Sequence, residues 1–128
     1  MSAIGKELAS FTVMGRAVPA VRMTQRSKFT LRAQRYLRYK SHIGWTARQH
    51  FRGSPTKEPV AVETKIYLKG GNQGDVDNYF KSVADSLNKI VYKDDRQIKM
   101  IKASKIECNS KEDERVEVRV YEIEEQIA

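Results

Sequence analysis

The 128-residue sequence contains one cysteine, Cys108. An internal disulfide is therefore excluded, and a lone thiol points to a reducing, cytoplasmic setting. No apolar run approaches the roughly 18 residues that a membrane helix requires. The first ten residues, MSAIGKELAS, hold no apolar h-region, so neither a membrane span nor a signal peptide is expected. Histidine is scarce: His42 and His50 both lie far along the chain from the acidic motif described below, which disfavours zinc. The most telling absence is of negative charge. Residues 8–57 contain no Asp and no Glu.

That same stretch carries Arg16, Arg22, Arg26, Lys28, Arg32 and Arg35, followed by Arg38, Lys40, Arg48, Arg52 and Lys57, and the whole chain has a formal charge of +8. The far end is acidic, with Glu107, Glu112, Asp113, Glu114, Glu117, Glu122, Glu124 and Glu125. Charge segregated in this way makes a positive face suited to phosphates. An ordinary solvated surface would interleave acids with these bases, and here none is interleaved. The length fits one domain spanning residues 1–128, and a 40% hydrophobic content suits a folded core rather than a disordered chain.

Periodicity supplies the elements. Phe11–Met14 reads as a short strand ended by Gly15 and Pro19. The polar stretch 22–30 reads as a loop. Ala33, Leu37, Ile43 and Ala47 recur at helical spacing up to Phe51, with Tyr36 and Trp45 among them, and Trp45 is assigned to the core. Val60, Val62, Thr64, Ile66 and Leu68 alternate with Glu63 and Lys65 as a half-buried strand. After the flexible Gly70–Gly74 segment, Val76, Phe80, Val83, Ala84, Leu87 and Val91 form the apolar stripe of a helix over 77–90. Strands follow around Ile98–Ile106 and Val116–Val120, joined as a hairpin through 109–113. The order β-α-β-α-β-β predicts an α+β (α/β) domain: a mixed β-sheet with two main helices packed on it.

The chemistry-bearing segment runs Gly74-Asp75-Val76-Asp77-Asn78-Tyr79-Phe80-Lys81, then Tyr92-Lys93-Asp94-Asp95-Arg96-Gln97-Ile98. Clustered carboxylates without His or Cys suit hard cations such as Mg²⁺ or Mn²⁺. Such ions activate water and offset the charge that builds during phosphodiester hydrolysis. Each piece alone has a plainer use. Asp-x-Asp also holds the metal of nucleotide-sugar transferases, an Asp at a helix start caps it, and Asp94-Asp95 makes a turn. Lys81 lies one turn beyond Asp77, where its ammonium can reach a phosphate or merely pair with Asp77 and Asp85. Phe29, Tyr36 and Tyr39 stand among the arginines. Phe29 is the aromatic best placed to contact DNA by stacking.

Asp75-x-Asp77-Asn78-x-x-Lys81, then Asp85 and Asp94-Asp95-x-Gln97-Ile98, resembles the signature of RusA-type Holliday junction resolvases. These are small homodimeric endonucleases frequent in phages and prophages. The resemblance implies that Asp75, Asp77 and Asp95 bind Mg²⁺, with Mn²⁺ able to substitute. It makes Asp94 a supporting or alternative ligand and Lys81 a group required for cleavage. Residues 15–28, with Pro19, resemble the family's DNA-contacting loop less closely, and Asn78 is counted with Arg16, Arg22, Arg26, Lys28, Arg32 and Arg35 among the DNA-binding residues. The implied partner is a four-way junction or other branched DNA, opened in recombination and repair by paired symmetric nicks. The competing reading from a different class is a branched-DNA-binding protein without catalysis, using the same basic face. A transferase use of Asp-x-Asp is disfavoured because the chain is too short for a sugar-nucleotide domain.

Overall fold

The computed structural model describes residues 2–24, 26 and 29–125. The elements are β1 (Ser2–Met14), α1 (Leu31–His50), β2 (Val60–Leu68), α2 (Val76–Ser86), β3 (Ile98–Glu107) and β4 (Arg115–Glu125). Short 3₁₀ turns, Asp95–Gln97 and Lys111–Asp113, lead into β3 and β4. The expected α+β order is present, on one mixed sheet with strand order β1-β4-β2-β3. β2 and β3 are parallel, joined through α2, whereas β4 runs antiparallel to both β1 and β2.

Alternation explains the two faces of this sheet. Val62, Thr64 and Ile66 of β2 face Val120, Val118 and Val116 of β4 in register, and all but the Thr join the core with Leu68 and with Phe11 and Val13 of β1. The helices cover that face through Tyr79, Phe80, Val83 and Leu87 from α2 and Ile43 and Ala47 from α1. The opposite face is wet and charge-matched across strands. Glu63 stands opposite Arg119, and Lys65 opposite Glu117, the arrangement that favours antiparallel pairing. Lys102 pairs with Glu63 at 3.7 Å, and the Arg115 guanidinium lies 3.8 Å from the centre of the Tyr67 ring. Part of the acidic C-terminal charge is thus neutralised within the sheet.

Four expectations need correction. The first strand is much longer than Phe11–Met14 and begins at Ser2. It is an edge strand whose ladder shifts between Ile4 and Ala9, so its early residues show no clean alternation. α2 ends at Ser86 rather than Ile90. Lys89 there takes a left-handed backbone, φ 67°, and the Tyr92 hydroxyl donates to the Ala84 carbonyl at 2.7 Å. β3 and β4 form no hairpin, because β2 lies between them. Residues 108–114 instead cross the end of β2, with the Cys108 N–H donating to the Leu68 carbonyl at 2.9 Å. Finally, Trp45 is 65% exposed. It sits about 200° around the helix from Ile43, and Ile43 and Ala47 mark the buried stripe.

α1 crosses the end of α2 closely at Gly44. A Cβ there would stand 3.1 Å from Ile90 Cδ1 and 3.3 Å from the Ser86 carbonyl oxygen. Ile43 next to it is fully buried. Ile43→Ala is expected to cost about 2–5 kcal/mol, whereas Trp45→Ala should stay within about 0.5 kcal/mol of wild type. Urea unfolding of the two variants checks this difference.

Candidate active site

The start of α2 is positioned by the loop before it, and that loop is fixed by one arginine. The Arg16 guanidinium donates to the carbonyls of Gly70 and Asn72, both at 2.9 Å, and reaches Lys69 O at 3.5 Å. It also pairs with the carboxylate of Glu114. Glu114 is buried, and its Oε2 accepts the Lys69 N–H at 2.9 Å. Glu107 accepts the Gly70 N–H at 2.9 Å. Gly71 has φ 73°, and a Cβ on it would lie 3.1 Å from the Arg16 guanidinium, so this turn requires glycine twice over. Arg16, one of the residues expected to touch DNA, holds the loop through these contacts and also lines the cleft described below.

Gly74 completes the approach. Its N–H donates to the Tyr79 hydroxyl at 2.9 Å, and its carbonyl accepts Lys105 Nζ at 3.0 Å. A Cβ at Gly74 would lie 3.0 Å from Pro19, so the loop after β1 is packed directly on this residue. The Ala20 N–H donating to the Asn78 carbonyl at 3.0 Å straps that loop to the first turn of α2.

Asp75 is the N-cap of α2, yet its side chain accepts no capping hydrogen bond. Asp77 is exposed and spends Oδ1 on the Asn78 N–H at 3.0 Å. Two carboxylates with oxygens to spare therefore stand in solvent at a helix N-terminus, where the helix dipole favours negative charge. Lys81 is exposed one turn further on. Among the described residues it forms no ion pair with Asp77 or Asp85. Asp85 instead accepts from the Tyr36 hydroxyl at 3.3 Å, and burial, then the Asp85 charge, push that phenol up to about 12.

The second acidic pair behaves differently. Asp94 caps the turn into β3 by accepting the Arg96 N–H at 2.8 Å, and it pairs with the Arg96 side chain at 3.2 Å. These contacts, the backbone one first, hold its carboxyl below the usual range. Desolvation, then its hydrogen bond and charge contact with Asp94 and the charge of Asp85, push Asp95 up. Asp95 thus belongs with Asp85, near the C-terminal end of α2. Asp75 follows the Leu68 end of β2, whereas Asp95 precedes Ile98, which pairs with Val60 at the other end. Nine strand residues separate those ends by roughly 26 Å. Among the described residues no three His, Cys, Asp or Glu side chains group to hold a metal ion. One chain therefore does not gather Asp75, Asp77 and Asp95. The donor chemistry of the Asp75–Asp77 pair nonetheless fits Mg²⁺, which commonly takes one or two carboxylates and completes its shell with water and phosphate oxygens. Asp94, with its oxygens already engaged, fits less well.

The remaining basic residues surround a cleft of about 660 Å³ between the loop after β1, the start of α1 and the glycine loop. Arg32 and Arg35 line it, while Arg22 and Arg26 are exposed nearby in sequence. Asn78 is also exposed. Lys28 lies outside the described residues. Phe29 is 76% exposed.

The profile of the endodeoxyribonuclease RusA family matches residues 11–121, a span that runs from β1 into β4 and takes in both acidic segments. The chain belongs to the RusA endodeoxyribonuclease family. It is also 31% identical to the uncharacterized protein YqaN of Bacillus subtilis (strain 168), in a match covering 66% of this chain and 72% of that protein. Family membership makes this an endodeoxyribonuclease scaffold, one whose members act on branched DNA.

Glu114 escaped sequence reasoning because it is one acid among many near the C-terminus. Only its burial beside Arg16 distinguishes it. Its carboxyl is held below the ordinary value of 4.5, first by the Lys69 N–H and then by Arg16. A depressed folded-state value stabilises the fold fully above the unfolded value and loses that contribution as pH falls through the folded one. Glu114→Gln should therefore cost about 1–3 kcal/mol at neutral pH. The gap from wild type should narrow as urea unfolding is repeated toward pH 4, and a gap independent of pH would contradict this role.

Proposed function

We propose that this protein is a divalent-metal-dependent endonuclease that resolves four-way DNA junctions by paired nicks. The observation that carries the reading is the pair of exposed carboxylates at the start of α2 in a RusA-family chain, Asp75 with no capping hydrogen bond and Asp77 with one oxygen engaged by the Asn78 N–H. These two residues would hold Mg²⁺ or Mn²⁺. Bound there, such an ion lowers the pKa of a water ligand and offsets charge on the phosphoryl oxygens. Lys81, one turn away and in no ion pair among the described residues, presents its ammonium to the scissile phosphate. Arg32 and Arg35 hold neighbouring phosphates through charge, which gives affinity that falls steeply with salt and little base reading.

Asp95 enters through dimerisation. A single chain leaves it at the opposite end of α2, so the third carboxylate of each site comes from a second copy. A two-fold homodimer then carries two sites for the two strands of a two-fold junction. No helix among the described residues is long and apolar enough to cross a membrane, and we place the activity in the cytoplasm, in recombination and repair, with an origin in phage or prophage. The lack of a three-carboxylate group among the described residues of one chain favours a second reading, a branched-DNA-binding protein without catalysis.

Cleavage of a labelled synthetic junction in Mg²⁺ separates the two. Asp75→Asn and Asp77→Asn are each expected to abolish cutting while gel-shift binding persists, and EDTA should do the same to wild type. Mixing the inactive Asp75→Asn and Asp95→Asn chains should restore nicking, because a mixed dimer keeps one site intact if Asp95 is shared and none if it is not. Undiminished cutting by Asp75→Asn would remove the metal assignment, and a mixture that stays inactive would remove the shared site.

A further inference from the structure

The cleft beside the acidic pair is built for more than a phosphate. Ala17, Val18, Pro19 and Val21 supply apolar lining, together with the buried Tyr79. Arg32 and Arg35 line it from the first turns of α1, and Arg16, held by the loop carbonyls, lines it too. Neither Arg32 nor Arg35 forms an ion pair among the described residues, and residues 8–57 supply no acid to neutralise them. Asn72 and Gln73 bring two primary amides to the lining. The backbone beneath them is fixed, since the Asn72 carbonyl is held by Arg16. The Asn72 amide has no hydrogen-bond partner among the described residues, and Gln73 makes only a local bond to the Gly70 carbonyl at 3.3 Å.

We propose that this cleft is a subsite for one unstacked nucleotide of the branch point, with Asn72 and Gln73 reading the edge of its base. The proposal rests on the branched-DNA reading above and adds where a cut-site preference would originate. A groove that only tracked phosphates would need cations and no apolar wall. A pocket that took only an apolar ligand would have no use for two unpaired guanidiniums. A nucleotide needs both, together with donors and acceptors for the base edge. The volume, about 660 Å³, lies within the usual range of roughly 300–1,000 Å³ for small-ligand sites. Location supports the same conclusion. Gly74 lines the cleft and immediately precedes Asp75, so a nucleotide seated there adjoins the phosphate offered to the acidic pair. Branch points supply such nucleotides at low cost, because bases at a junction are already poorly stacked and extrusion is cheapest where pairing is weakest.

The test uses full-length protein and four-way junctions carrying 2-aminopurine at one branch-point position at a time, in Ca²⁺ so that binding is read without cleavage. Wild type should raise the fluorescence severalfold at one position, as the analogue leaves the stack. Filling the cleft with Val21→Trp should remove the rise. Gln73→Trp, at an exposed position, should do likewise if Val21→Trp fails to fold. On a mobile junction in Mg²⁺, Asn72→Ala with Gln73→Ala should redistribute the cut positions. The proposal is overturned by the absence of a rise at every position, or by a rise that survives a folded cleft-filled variant. Cleavage without any rise would sink this subsite and leave the nuclease reading standing. A rise without cleavage would do the reverse.

Discussion

The pairing of Arg16 with the buried Glu114 is the constraint on which the site depends. It joins three distant parts of the chain: the end of β1, the residue before β4, and the loop that leaves β2. A buried charge pair is not in itself strong support for stability. Its importance here is geometric. The guanidinium holds the loop carbonyls of Gly70 and Asn72, and the Asp75 carboxylate at the end of that loop stays free of capping duty. The loop thereby presents an acid that the helix would otherwise consume.

The fold divides the acids by task. Asp94 is engaged by backbone and Arg96, Asp85 by Tyr36, Glu107 by Gly70, and Glu117 by Arg115. Asp75 keeps its side chain out of the capping role, and Asp77 keeps part of its lone-pair capacity. The same sorting applies to the bases. Arg115 serves the scaffold, Arg16 holds the glycine loop and also lines the acid-free cleft, and Arg32 and Arg35 line that cleft without an ion pair among the described residues. Uncommitted groups of both signs therefore meet around Gly74, where the loop after β1 packs on the start of α2. Phosphate chemistry needs both signs at one place.

The β2–α2–β3 crossover sets the limit of what one copy can do. Because β2 and β3 are parallel, α2 must run back along the sheet, and the strand ends that the crossover connects are separated by the length of the strands. Asp75 follows one of those strand ends and Asp95 precedes the other. The family signature spans both, and the topology explains why sequence proximity does not become spatial proximity within one chain.

The sequence by itself determined the elements and the candidate groups. Period-2 alternation at Val60–Leu68 and Val116–Val120 and the apolar stripe of α2 mark which residues enter the core, because burial on one face imposes that spacing. The acid-free stretch marked the basic face, and the Asp75–Lys81 spacing marked the family. Trp45 was assigned to the core and is exposed, although its spacing of two residues from both Ile43 and Ala47 puts it on the opposite side of the helix. Tertiary structure alone decided the rest. Alternation says that a segment is a strand but not which strand lies beside it, so the insertion of β4 between β1 and β2 could not be read from periodicity. Charge in a sequence does not say what a charge is bonded to, so the commitment of Arg16 and Glu114 to the loop had no local signal. The separation of Asp95 from Asp75 was likewise fixed by the length of the strands between them. A composition records which groups exist, and only the packed chain shows which of them are still free to act.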